Sequence, residues 1–142
     1  MGLIYLDASV LVPLLVADAH TTRAVAWYSK LNAALIVSDL ANLEVSAVAP
    51  RDQRRGRLTQ EAAENALTDF DAIRANCDRW NHGAADFLLA QRLVRDFPNK
   101  LAAADALHLA SAKNVGATLA TLDARLADAA RMKGVDVVEI GD

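Results

Sequence analysis

Four short strand-like segments, two of them unbroken apolar runs, alternate with stretches of helical composition and constrain this chain more than any other feature. Leu3-Ile4-Tyr5-Leu6, Leu35-Ile36-Val37 and the segments 117–121 and 135–140 have the length of buried strands. Strands alternating with helices point to a parallel sheet covered by helices on both faces. The chain is therefore expected to be α/β, a three-layer α/β/α arrangement around a short, mostly parallel sheet of four or five strands. No repeat, low-complexity tract or shift in composition divides it, so residues 1–142 are expected to form one domain.

Local signals set the boundaries. Ser9 is a natural N-cap for a helix over 10–17, with Pro13 in or near its first turn. A second helix is expected over 22–31. Ser38 caps a helix over 39–49, which Pro50 ends or kinks. Residues 51–57, with Arg51, Arg54, Arg55 and Arg57, look like an exposed connection. Thr59 caps a long helix reaching about residue 78, and Asn81-His82-Gly83 makes a break. A helix over 84–97 stops at the Pro98-Asn99 turn signal. Another over 101–113 is closed by Asn114 and Gly116, and a last one over 124–133 has Gly134 just beyond it.

Composition narrows the function. With 54% hydrophobic and 23% charged residues the chain has ample material for a core, and disorder is excluded. Cys77, the single cysteine, cannot form an internal disulfide, which fits a reducing, intracellular setting. No apolar run approaches the ~18 residues that span a bilayer, and Asp7 interrupts the N-terminal apolar segment. A cytoplasmic protein is expected. The net charge of −3 argues against holding nucleic acid by bulk charge. A phosphate-rich partner would need a local basic patch or metal ions among carboxylates.

Carboxylates fall where such a site could form. Ligands of open parallel sheets bind at the carboxyl ends of strands, and Asp7 and Asp123 stand at two such ends. Asp39, after Ser38, is a third candidate. Each alone is equally consistent with helix capping. Glu44 projects from a face made by Leu40, Leu43, Ala47 and Val48, where a carboxylate withdrawn from water needs a cation or an arginine partner. Asp105 lies on a helix of alanine and leucine, in a polar line with His108 and Ser111 that could equally be its wet side. Gathered in one cleft, four acids would repel one another and a divalent cation would relieve them. Mg²⁺ suits oxygen ligands, whereas no paired Cys or His spacing suggests zinc. His20, His82 and His108 look like surface or packing residues. Trp27, Tyr28, Phe87 and Leu88 are expected in the core, with exposure at a partner surface the lesser alternative.

Leu6-Asp7-Ala8-Ser9-Val10-Leu11, Ser38-x-Leu40-x-x-x-Glu44, Ala104-Asp105-Ala106-Leu107-His108-Leu109-Ala110 and Thr121-Leu122-Asp123-x-x-Leu126 together resemble the PIN-domain ribonucleases, and among them the VapC-type toxins of toxin–antitoxin pairs. The resemblance implies a PIN-like fold and an endoribonuclease dependent on Mg²⁺, with Mn²⁺ as a substitute. It assigns the metal-binding and catalytic acids to Asp7, Glu44, Asp105 and Asp123, with Ser9 and Thr121 as their hydroxyl neighbours. Asp7 and Asp105 would be direct ligands. Glu44 would be a ligand or the base, and Asp123 would hold a second cation or a metal-bound water. It further implies an RNA substrate, a small VapB-like antitoxin and a homodimer. Pro50 departs from the family pattern and puts the placement of Arg51 in question; the basic segment 51–57 could grip RNA, anchor an antitoxin or be a solvated turn.

Two other magnesium chemistries on α/β sheets fit less well. A haloacid-dehalogenase-like phosphatase needs an aspartate where Ser9 stands, and a receiver domain needs an acidic pair at the first strand. A catalytically silent PIN-like binding module is the remaining alternative, against which stands the presence of all four acids.

Overall fold

The computed structural model describes residues 2–140; Met1, Gly141 and Asp142, which the one-domain expectation includes, lie outside the described residues. Strand β1 (Leu3–Leu6) leads into α1 (Ala8–Leu15) and α2 (Thr21–Ser29), then β2 (Ala34–Ser38), α3 (Asp39–Arg54) and α4 (Gln60–Ala75). Strand β3 (Asp78–Trp80) precedes α5 (Ala84–Val94), a 3₁₀ turn at Phe97–Asn99, α6 (Ala103–Val115), β4 (Thr118–Thr121), α7 (Ala124–Met132) and β5 (Val137–Glu139). The five strands form one all-parallel sheet in the order β3-β2-β1-β4-β5.

Side-chain alternation along the strands builds the three layers. On β1, Tyr5 points to the core beneath α5, α6 and α7, which includes Leu93, Leu107, Leu109, Leu119 and Leu126. Its neighbours Ile4 and Leu6 point the other way, onto Val10, Leu11, Val45 and Phe70 of α1, α3 and α4. The same alternation places Ile36 and Leu119 on one side and Val37 and Ala120 on the other. Such alternation is the period-2 rule of a pleated strand. Each buried Leu, Ile or Phe contributes about 1.5–3 kcal/mol, and the central strand β1 is buried on both faces by the two helical layers while β2 and β4 pair along its edges. Among the described residues no helix is long and apolar enough to cross a membrane.

Several boundaries differ from the sequence reading. Strand β3 replaces the end of the expected long helix. Asp-Arg-Trp carries no apolar run, and it survives as an edge strand because it pairs with β2 alone. Helix α1 starts at Ala8, so Asp7 rather than Ser9 holds the N-cap position, although the Asp7 side chain makes no capping bond. Pro13 is thus past the first turn, and α1 ends two residues later. Helix α3 continues through Pro50 to Arg54 and loses a single backbone bond at the proline. Residues 51–54 of the expected connection are therefore helical, and Asp52 is buried. The buried stripe of α3 is Ala41, Val45, Ala49 and Asp52 rather than the expected face: Leu43 is 69% exposed and Ala47 is exposed. Leu43 lies two residues from both Ala41 and Val45, about 200° round the helix from the buried stripe, and so faces outward. Phe87 and Leu88 are likewise exposed, against the expectation of core, while Trp27 and Tyr28 are partly buried. The caps expected of Ser38 and Thr59 are present, their hydroxyls accepting from the backbone N–H groups of Ala41 and Ala62.

Candidate active site

Strands β1 and β4 are neighbours, yet the helices that follow them leave on opposite faces. Helix α1 packs in the layer of Val10 and Leu11, and α7 in the layer of Leu126 and Ala129. Their divergence opens a crevice at the carboxyl ends of the two strands, the place where open α/β sheets hold ligands. Asp7 and Asp123 stand on its two lips.

Asp7 is buried and held from both lips. Its Oδ2 accepts hydrogen bonds from Ser9 Oγ at 2.7 Å and from Thr121 Oγ1 at 2.8 Å. Ser9 Oγ in turn accepts from Leu122 N–H at 3.0 Å, and Thr121 Oγ1 from Asp123 N–H at 3.0 Å. Two hydroxyls thus lock one carboxylate oxygen while tying the turn after β4 to that after β1. The other oxygen, Oδ1, has no such clamp and lies 3.8 Å from His108 Nε2. Asp123 has a split role: its Oδ1 caps α7 by accepting from Arg125 and Leu126 N–H. The capping interpretation therefore holds for Asp123 and fails for Asp7.

Glu44 reaches the crevice from α3. Its side chain keeps 35% of its exposure, more than a wholly buried carboxylate would, and its Oε1 is 2.5 Å from His108 Nε2. A carboxylate only accepts, so Nε2–H is the donor. Its partner is this histidine rather than the alternative arginine. His108 is completely buried, which excludes the surface alternative and adds to packing a polar role, and Ser111 is buried as well. The polar line of α6 accordingly faces inward and is not its wet side. His108 Nδ1 shares a hydrogen bond of 2.7 Å with the Tyr5 hydroxyl, which donates to Ser38 Oγ at 2.8 Å.

Asp105 sits one turn before His108 on α6. Burial, followed by the charges of Asp7, Asp123 and Glu44, raises its pKa from 3.8 to about 6, with His108 opposing. The carboxyl thus senses all three other acids at once, as expected if they share a poorly hydrated crevice. Asp39, by contrast, is not drawn in: it pairs with Arg79 at 2.8 Å and lines a separate pocket with Arg74 and Cys77. A cleft of about 630 Å³ continues from Ser9, Glu44 and Asp123 to His20 and Arg51. The half-exposed Arg51 guanidinium, 3.6 Å from Asp52, puts a cation at the far end of an acidic groove. His82 is structural, joining Ser111 Oγ at 2.8 Å and accepting from Leu40 N–H.

Among the described residues, no three acidic, histidine or cysteine side chains close around a single point. The acids line the crevice without forming a cage. Oxygen donors of this kind, with an unclamped oxygen on Asp7, fit a hard cation that keeps several of its own waters and takes few protein ligands. They fit zinc poorly.

Tyr5 and His108 are the members of this site that sequence reasoning missed. A histidine in an otherwise apolar, wholly buried stretch of helix needs a polar partner, and its three-residue spacing from Asp105 puts it on the helix face that carries that acid.

The PIN domain pattern matches residues 4–132, so the chain belongs to the PIN domain family. Within it, the chain is 31% identical over 141 residues to Ribonuclease VapC46 of Mycobacterium tuberculosis, covering 97% of this chain and 98% of that protein. VapBC2 from Rickettsia felis, solved on a promoter DNA fragment, shares the fold with a TM-score of 0.73 at 14% identity, over 96% of this chain and 98% of its own. The sarcin-ricin loop cleaving toxin VapC20 of Mycobacterium tuberculosis does so with a TM-score of 0.70 at 21% identity, over 89% and 94% respectively.

Proposed function

We propose that this protein is a metal-dependent endoribonuclease, the toxin of a VapBC-type pair, acting in the cytoplasm with Mg²⁺ or Mn²⁺ on RNA phosphodiester bonds. The observation that carries the proposal is the clamped carboxylate of Asp7, turned toward the Glu44–His108 pair at the crevice that also holds Asp105 and Asp123. Asp7 and Asp105 would hold the cation. A bound divalent ion supplies charge to offset the carboxylates and the phosphate, and it acidifies water into a nucleophile. Glu44, fixed by His108 and partly open to solvent, is placed to ligate or to take a proton from the attacking water. Asp123 has Oδ2 outside its capping bonds, available to orient a water or a second cation. Ser9 and Thr121 hold Asp7 in place. Arg51 offers the groove's far end to a neighbouring phosphate.

The family relationship and the VapBC complexes among the structural neighbours support a small VapB-like antitoxin as partner. A homodimer is supported by the exposed apolar residues Phe87 (57%) and Val94, which line a groove with Leu40, Ala90 and Leu107. The decisive experiment uses purified protein free of any partner. Single-stranded or loop RNA should be cut with Mg²⁺ or Mn²⁺, and cutting should stop on chelation. Asp7→Asn and Asp105→Asn should each lose at least 100-fold in rate. Cleavage at the parent's rate by both variants would overturn the site assignment.

A further inference from the structure

We propose that His108 is the positioning residue for Glu44: its buried Nε2–H holds the carboxylate in the crevice, and a hydrogen-bonded chain through Tyr5 to Ser38 fixes the imidazole in turn. The distances along this chain are 2.5 Å from Glu44 to His108, 2.7 Å from His108 to Tyr5 and 2.8 Å from Tyr5 to Ser38. It closes on itself, because Ser38 caps the helix that carries Glu44, accepting from Ala41 N–H at 3.1 Å.

Every link stands within six residues of one of the acids along the chain. Tyr5 lies two residues before Asp7 at the end of β1, His108 three residues after Asp105 on α6, and Ser38 six residues before Glu44 at the start of α3. The chain therefore sets β1, α3 and α6 relative to one another at the level where their carboxylates meet. Tyr5, Ser38 and His108 are fully buried, whereas Glu44 is partly open. A flexible glutamate at a half-exposed position is thus anchored from below by rigid, water-excluded groups, as a supporting shell holds a ligand. The T-shaped contact between the Tyr5 and His108 rings, 5.6 Å between centroids, restrains the imidazole further.

This inference rests on the nuclease proposal, and its test separates the two. The probe is Mn²⁺ alone, its affinity for the full chain measured by calorimetry without RNA, followed by kcat and KM for cleavage. His108→Asn leaves a polar group against Tyr5 but is too short to reach Glu44, whereas His108→Gln can place its amide N–H near the original Nε2. Both keep a polar side chain in the same packing, so a difference between them reports the bond to Glu44. The Asn variant should bind Mn²⁺ at least tenfold more weakly and lose kcat more than tenfold with KM within twofold of the parent. The Gln variant should recover most of both losses. Tyr5→Phe, which breaks the chain one link further away, should weaken Mn²⁺ binding a few-fold. If the parent binds Mn²⁺ and cleaves, and His108→Asn matches it, the positioning role is overturned and the nuclease proposal stands. Equal losses in the Asn and Gln variants also overturn it, and a parent that neither binds Mn²⁺ nor cleaves RNA overturns both.

Discussion

Replacing Asp105 with Asn should stabilise the metal-free protein, and the gain should depend on pH. In the folded chain this carboxyl titrates at about 6 instead of 3.8, through burial and the charges of Asp7, Asp123 and Glu44. An acid with a raised folded pKa binds its proton more tightly in the native state, so stability falls as pH rises from about 4 to 6 and the penalty is complete above that range. At 1.36 kcal/mol per pKa unit the ceiling is about 3 kcal/mol. Asp105 is only half buried, so solvent screening reduces this to about 1–1.5 kcal/mol. For a chain of this size that is a rise in Tm of about 3–5 °C. Thermal melts in EDTA should show Asp105→Asn and parent coinciding near pH 4 and separating above pH 6, the variant higher. Excess Mn²⁺ should reverse the order by stabilising the parent more. A variant that melts below the parent at neutral pH, or equally above it at pH 4, would refute the shared-crevice electrostatics.

Two further substitutions separate the clamp from the scaffold. Thr121→Val removes one of the two hydroxyls on Asp7 and the acceptor for Asp123 N–H. It should cost about 1–2 kcal/mol in chemical denaturation and lower cleavage at least tenfold, with Thr121→Ser restoring both. Asp86 lies outside the crevice, where it accepts from Trp80 Nε1, Gly83 N–H and Asn114 Nδ2 at 2.8–3.0 Å. Asp86→Ala should lose about 1–3 kcal/mol in urea unfolding, because three partly exposed donors lose their shared acceptor. Cleavage per folded molecule should not change.

The layered architecture was legible because β1 and β2 are continuous apolar runs, the mark of strands buried on both faces, and two further strand-like segments alternate with helices later in the chain. Strand β3 was not, since its three residues are held by pairing with β2 and carry no hydrophobic signal of their own. The four acids could be read from their positions at strand ends and on apolar helices. What each one does locally could not be. Only the three-dimensional arrangement shows that Asp123 caps a helix while Asp7 does not, and that Glu44 answers to a histidine 64 residues away. The face of α3 was misread because periodicity weights large apolar side chains, and here Ala41 and Ala49 lie inward while Leu43 points to solvent. Long-range polar contacts such as Tyr5–His108 leave no trace in local spacing, as each partner looks like ordinary packing within its own segment.

The clamp on Asp7 joins the first strand of the chain to its fourth, across 114 residues. During synthesis, then, a ribosome exposes the first acid long before it has made the two groups that complete the crevice, Thr121 and Asp123. A chain interrupted before that point carries a middle strand paired along one edge alone and no closed centre. Such a fragment should be harmless to the cell that makes it, and only the assembled sheet should be poisonous.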